Sequence, residues 1–408
     1  MKTPEDFAQL QVMSPNSCSI ADAVSSKLAK RHIVFAKIHK AASSTVHNIL
    51  TRFALRYGLN AMSRMHNMHI HQNSDKIFQR DLVPIPSGSK YDILCCHLIF
   101  NKSRIAPYFP NDTSYVGIVR EPFQRFLSAF IYFSYMYPEK SITPIVEANP
   151  KDPVSAFLEE PSKWVNESHP KSVPINNRMS VDFGFPLDDF KNAKKDKAKI
   201  NTFLHYLNST FDLIMVKEMF DESLVLLRRQ FHWKMKDILY LNVNTFNAGN
   251  TPNASTISDA RSWVHKQNYS EHVKNKFRDW AAIDIALYDF FLREFRRRVT
   301  SQPPDFFEEV KTLKILKNLV AKYCSAVNST NTTSPSSCSY FPATDHSEEM
   351  TLTKRDCELM TMDEMYLTET ARNDTIFNRL KMTSKEYNML FRRGIDPEGR
   401  ILGYDKSW

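Results

Sequence analysis

Glycine is scarce in this sequence, with 8 residues in 408. That argues against flexible linkers and glycine-rich nucleotide loops, and the phosphate-loop pattern GxxxxGK[ST] is absent. Long apolar runs are missing too. No stretch reaches the about 18 consecutive apolar residues of a membrane-spanning helix, and the opening MKTPEDFAQLQVMSPNSCS has no signal-peptide core. The 6 cysteines and 13 histidines never fall at zinc-ligand spacing, and no internal repeat stands out. What is there is ordinary for a folded chain: 42% hydrophobic and 24% charged residues. At roughly 150 residues per domain the length suggests two or three domains, and one α/β unit of roughly 250 residues with appendages fits equally well.

The net charge is +9. It favours an anionic partner such as a phosphate donor, an acidic glycan, nucleic acid or a membrane surface, without choosing among them. Nine Asn-x-Ser/Thr sequons, at Asn101, Asn111, Asn166, Asn208, Asn253, Asn268, Asn328, Asn331 and Asn373, point to the secretory pathway. They conflict with the missing signal segment: either an N-terminal anchor is absent from this sequence or the sequons are idle. Cys324, Cys338 and Cys357 lie in a late, loop-like region where an oxidising compartment allows a bridge of undetermined pairing. Cys95 and Cys96 read as core thiols, and Cys18 has no assignment.

Alternating patterns organise the chain. After a polar leader or truncated stem over 1–30, strands are expected at 31–36, 91–96, 115–119, 211–217 and 237–241. Val46, Ile49, Leu50, Phe53, Ala54 and Tyr57 recur at helical spacing, and Gly58 is a stop. Pro122 suits the first turn of a helix whose apolar face is Phe123, Phe126, Leu127, Phe130 and Ile131. Phe220, Leu224, Leu227 and Phe231 mark another helix, 271–298 a long one, and Phe306, Val310, Leu313, Leu316 and Val320 a further one. Residues 61–90 read as irregular, 140–200 as loops with short helices, 324–340 as loop, and the tail as polar and partly helical. Strands alternating with helices predict a P-loop-like three-layer α/β sandwich with a central parallel sheet. Its domain would span 31–300, followed by a helical extension over 301–408 with a cysteine-containing loop.

Chemistry concentrates in Lys37-Ile38-His39-Lys40-Ala41-Ala42-Ser43-Ser44-Thr45, between a strand and a helix. The first N–H groups of a helix lack intrahelical acceptors, and the helix dipole adds to their pull on an anion. Lys37 and Lys40 bring charge; Ser43, Ser44 and Thr45 bring hydroxyls. A second element, Tyr115-Val116-Gly117-Ile118-Val119-Arg120-Glu121-Pro122, puts Arg120 at a strand end and Ser128 about two turns into the next helix. That pair can grip another phosphate. Each element alone has a bland reading as a polar loop or a surface ion pair. Both in this order, about 80 residues apart, are harder to reach by chance.

On these residues the chain resembles the galactose-3-O-sulfotransferase family, whose loop reads K-T-H-K-T-G-S-S-T. LCCHLIFN at 94–101, NNRMSVDFGFP at 176–186, FDESLVLLRRQFHWKMKDILYLNVN at 220–244 and CELMTMDEMYL at 357–367 extend the resemblance over about residues 31–370. The resemblance implies a donor, 3′-phosphoadenosine-5′-phosphosulfate (PAPS), held at its 5′ end by Lys37, Lys40, Ala41, Ala42, Ser43, Ser44 and Thr45. Its 3′-phosphate would go to Arg120 and Ser128. The acceptor it implies is the 3-hydroxyl of a β-galactose on a glycolipid or glycoprotein glycan. It also implies a type II protein of the Golgi membrane facing the lumen, although the anchor is not in this sequence. Neither a metal nor a nucleic-acid partner is expected. Departures are Ala41-Ala42 for Thr-Gly, and Cys96-His97-Leu98-Ile99-Phe100 for a usual His-His-x-Arg-Phe, which bears on acceptor choice and activity.

Sulfuryl transfer asks for in-line geometry, charge neutralisation and removal of the acceptor proton. His39 is the expected general base, Lys40 with Lys37 the cation on the sulfonate, and His97 a second, acceptor-side candidate. His66, His69 and His71 form a cluster read as polar loop rather than metal site. Other readings are a sulfotransferase for glycosaminoglycans, a non-catalytic glycan-binding relative suggested by Ile99, and a P-loop kinase, disfavoured by the missing lysine pattern.

Overall fold

A short run of β-branched and apolar residues with no polar break is satisfied as a strand covered on both faces. Ile33, Val34 and Phe35 are buried in that way. They lie mid-sheet in the computed structural model, which describes residues 12–13, 28–65, 69–71, 74–136, 142–166, 174–186, 192, 195–241, 269–329 and 338–393. The described strands are β1 (Val12–Met13), β2 (Ile33–Phe35), β3 (Ala61–Met62), β4 (Ile93–Leu94), β5 (Ser114–Val119), β6 (Leu213–Val216), β7 (Cys338–Phe341) and β8 (Met350–Thr353). Five make an all-parallel sheet in the order β3-β4-β2-β5-β6. In register, Ile33 sits opposite Ile93 on one side and Ser114 on the other.

That order positions the site. From β2 the chain crosses toward β3, whereas from β5 it crosses the opposite way, toward β6. The crevice beyond the carboxyl ends of β2 and β5 is therefore the point where the winding reverses, the usual ligand position in an open α/β sheet.

The main helices are α1 (Ser43–Tyr57), α2 (Pro122–Ile131), α3 (Arg178–Asp182), α4 (Lys197–Thr210), α5 (Phe220–Phe231), α6 (Glu271–Trp280), α7 (Ala282–Thr300), α8 (Asp305–Ser329), α9 (Lys354–Thr361) and α10 (Glu364–Asn373). α1 buries Val46, Ile49, Leu50, Phe53 and Ala54 against the sheet's core. It stops at Gly58, left-handed at φ 63°, whose N–H returns to the Ala54 carbonyl. At α2, Pro122 takes the first turn and the Glu121 carboxylate accepts from Phe123 N and Gln124 N. α1, α3, α4, α5, α7, α8 and α9 contribute to one core with the strands, while α2 and α6 share a second, aromatic cluster around Phe126, Phe157 and Trp280.

Three expectations are corrected. Residues 237–241 are not a strand: Met235–Ile238 is a helical turn closed by the Asp237 side chain accepting from Lys234 N. The helix over 271–298 is two, broken at Ala281. The 324–340 loop is partly regular, because α8 runs to Ser329 and β7 begins at Cys338. Within the expected leader, Val12–Met13 pairs antiparallel with β7, which also pairs with β8. Cys324 bridges Cys357, so α8 is tied to α9, and Cys338 is also disulfide-bonded. Cys95 and Cys96 are free and buried, as expected of core thiols, and Cys18 lies outside the described residues. Among the described residues no helix is long and apolar enough to cross a membrane.

Candidate active site

The loop from β2 into α1 carries two of the five non-glycine residues with positive φ in the described chain, Lys40 and Ala42, each at 62°. A β-carbon makes that conformation cost roughly 1–2 kcal/mol per residue. The reward is a concave run of amides, the arrangement that binds anions at strand-to-helix turns. Among the described residues, the backbone N–H groups of Ala41, Ala42, Ser43 and Ser44 have no hydrogen-bond acceptor. They open at the amino end of a 15-residue helix.

The three hydroxyls separate here. Ser43 Oγ donates to Ile38 O at 2.6 Å, so it ties the loop shut and is not a free donor. Ser44 and Thr45 keep hydroxyls with no described protein partner, and with Asn48, Tyr240, Met362 and Glu364 they line a small cleft. Ala41 is fully buried and contributes only backbone. Lys37 is buried, and its Nζ forms an ion pair with Glu364 Oε1 on α10. Lys40 lies over the Tyr132 ring, 3.8 Å from its centroid. Burial pushes its ammonium down to about 8, with Arg120 adding to the shift and Glu364 opposing it.

His39 is the best-positioned titratable group. Its backbone N and its Nδ1 each meet Asp182 Oδ2 at 2.8 Å, while Asp182 Oδ1 accepts from Arg178 Nε at 2.9 Å. The carboxylate fixes the tautomer with the proton on Nδ1 and leaves Nε2 with a lone pair. Burial, then the charges of Arg178, His69, Lys37 and Arg125, hold the imidazole well below its usual value. His39 is therefore neutral near pH 7, the state a proton acceptor needs. Burial lifts the Asp182 carboxyl above its usual value, while Arg178 and the His39 amide pull it down.

Asp182 is itself fixed from behind. It ends α3, whose amino end is capped by the buried Asp284 of α7: Asp284 accepts from Ser180 N at 2.8 Å, Ser180 Oγ at 2.7 Å and Met179 N at 3.2 Å. Gly184, just beyond, has φ +84°, and a Cβ there would lie 2.1 Å from the Phe100 carbonyl. The Phe100 N–H returns to Asp182 O at 2.9 Å, so only glycine lets this strap close.

The second element arrives from β5. Arg120 Nη1 donates to Lys40 O at 2.9 Å across the crevice, and its buried Nε has no protein partner. Ser128 lies half-buried on α2 with its hydroxyl unpartnered among the described residues. No described contact joins Arg120 to Ser128. His97 stacks on His39 with centroids 3.9 Å apart, and its Nδ1 lies 3.1 Å from Lys37 O. Burial first, then His39, keeps it well below its usual value. His69 packs edge-on against His97 at 5.0 Å, and His66 lies outside the described residues. No described cluster of three or more metal-ligating side chains is arranged to hold an ion.

The structure thus brings Lys37, His39, Lys40, the 41–45 turn, His97 and Arg120 together. Asp182, Arg178, Asp284, Tyr132 and Glu364 are additions. Asp182 had one local signal, an Arg and an Asp four apart inside NNRMSVDFGFP. Of the unusual residues in the Cys96–Phe100 stretch, Cys96 and Ile99 are buried in the main core.

Comparison with known proteins adds three relatives. The profile of the galactose-3-O-sulfotransferase family matches residues 2–334. Galactose-3-O-sulfotransferase 2 of Homo sapiens is 30% identical over 297 residues, 72% of this chain and 68% of that one. Galactose-3-O-sulfotransferase 3 of Mus musculus is 31% identical over 268 residues, 65% of this chain and 57% of its own. Galactosylceramide sulfotransferase of Mus musculus is 28% identical over 274 residues, 66% and 58% of the two chains.

Proposed function

The chain belongs to the galactose-3-O-sulfotransferase family, and from that premise we propose that it transfers a sulfuryl group from PAPS to the 3-hydroxyl of a galactose on a glycolipid or glycoprotein glycan. The observation that carries this reading is the β2–α1 loop. It joins unpartnered amides, cations and a neutral histidine oriented by a carboxylate in one turn at the switch point of the sheet.

In this mechanism the acceptor oxygen attacks sulfur in line as the bond from sulfur to the donor's bridging phosphate oxygen breaks. The acceptor proton passes to His39 Nε2, and Asp182 stabilises the imidazolium that forms. The 41–45 amides with the Ser44 and Thr45 hydroxyls hold the 5′ end, and Lys40 and Lys37 neutralise charge on the sulfonate and the departing oxygen. Arg120 and Ser128 take the 3′-phosphate. His97, stacked on His39, borders the acceptor side. Acting on secretory glycans places the protein in the Golgi lumen, which the sequons suit.

The test is a thermal shift with the desulfated product PAP against ATP, followed by turnover. At a hundred times Kd, a ligand that binds only the native state adds about 2.7 kcal/mol. A PAP-specific shift in wild type is expected, and His39→Ala should keep it while losing sulfation of β-galactosides. Unchanged turnover in His39→Ala, or no PAP shift in wild type, overturns the assignment.

A further inference from the structure

The innermost cation beside the anion-binding turn is already paired with an anion, supplied by the chain itself. Lys37 is that cation, with no exposed side-chain surface, and Glu364 is the carboxylate paired with it. The two residues are 327 positions apart. Glu364 opens α10, a helix beyond the region matched by the family profile. Two features distinguish this pair from a core ion pair that only fills space. Glu364 lines the same cleft as the unpartnered Ser44 and Thr45 hydroxyls. Its other carboxylate oxygen has no described protein partner, so the group is half committed.

The rest of α10 is fixed independently. Thr368 Oγ1 lies 3.1 Å from His47 Nε2 on α1, Arg372 Nη1 donates to Met65 O at 2.7 Å, and the Cys324–Cys357 bridge secures α9 behind it. Glu364 can therefore leave Lys37 by turning its side chain while the helix stays in place. Nor does it suit the role of base. Burial alone would raise its pKa, but Lys37, His47 and His97 together hold it well below the usual carboxylate range. It remains a charge competitor and a poor proton acceptor.

We propose that Glu364 is a latch on the donor site: its carboxylate occupies Lys37 in the donor-free protein and exchanges with the donor's anionic group, setting how tightly donor and product are held. The latch rests on the assignment of the β2–α1 loop as the donor site. A multiply charged ligand entering the cleft must displace or approach a fixed negative charge, so its affinity is held down and its release is eased.

Calorimetric titration of PAP into wild type and Glu364→Gln tests it. The amide keeps the shape and removes the charge, and PAP should bind at least about tenfold more tightly, dissociate more slowly and leave a protein less stable without ligand. Equal or weaker PAP binding by a folded Glu364→Gln protein overturns the latch and leaves the donor-site assignment standing. If neither protein binds PAP, the donor-site assignment fails and the latch with it. Should Glu364→Gln not fold, Glu364→Asp carries the test, because it withdraws the charge by one methylene. A smaller gain in PAP affinity is then expected, and no gain overturns the latch.

Discussion

Asp182→Asn isolates the dyad from the rest of the site. Asp182 is buried and its carboxylate accepts three hydrogen bonds, two from His39 on Oδ2 and one from Arg178 on Oδ1. In the variant, the amide oxygen must face His39, because the His39 backbone N–H needs an acceptor in either tautomer. The tautomer therefore survives, the NH2 group turns toward Arg178, and what is lost is the negative charge beside the imidazolium of the transition state. At about 4 Å and an effective dielectric constant near 20 that charge is worth about 4 kcal/mol. Exchanging a charged for a neutral hydrogen bond alone is worth about 1–1.5 kcal/mol. Turnover should therefore fall between about tenfold and a thousandfold, with PAP binding retained. Breaking one side of a buried ion pair costs about 3–5 kcal/mol of stability at most, so the variant melts earlier. The decisive assay is a double-mutant cycle on kcat. Asp182→Asn should add little to the loss of turnover once His39 is alanine, because the carboxylate acts on the transferred proton through that ring. Turnover within threefold of wild type in the single variant, or a full additional loss in the double variant, refutes the dyad.

Two further outcomes follow from the loop. Lys40 loses its charge as pH rises through about 8, so kcat/KM should fall on that side; on the acid side, the depressed His39 keeps its base form to well below pH 6.5. Lys40→Arg should move the alkaline limb upward by more than a unit, and an unmoved limb assigns it to another group. Ala42→Gly relieves a left-handed alanine at roughly 1–2 kcal/mol and loses roughly 0.5–1 kcal/mol to chain entropy. A slight rise in melting temperature is expected by calorimetry, and a fall would mean that the loop's conformation carries no strain.

The sheet was legible because its strands are buried on both faces and read as uninterrupted apolar runs. The expected strands at 31–36, 91–96, 115–119 and 211–217 contain β2, β4, β6 and all but the first residue of β5. The same signal misled at 237–241, where an apolar run is buried without being extended, a case periodicity cannot resolve. β3, two residues long, carries no period to detect. The loop and Arg120 could be found because a strand end followed by a helix start is a local pattern. Their partners are not local: Asp182 lies 143 residues from His39, and such pairing leaves no spacing to read. Nor could the sequence announce that Ser43 would be spent on Ile38 and Ser44 left free, since backbone turn geometry decides between them.

The pairing of Lys37 with a residue 327 positions later also sets a timetable for making the protein. At about 5–20 residues per second, Lys37 is synthesised roughly 15–65 s before Glu364. During that interval α1 lacks the helix that packs against it, and His47, Asn48 and Arg56 lack their partners Thr368, the Leu359 carbonyl and Asp356. α9 is then fastened to α8 by joining Cys324 to Cys357, which closes a 33-residue separation and constrains the unfolded chain by about 3–4 kcal/mol. Enclosure of this site thus waits for the synthesis of α10, so a chain released before Glu364 carries the loop without that helix.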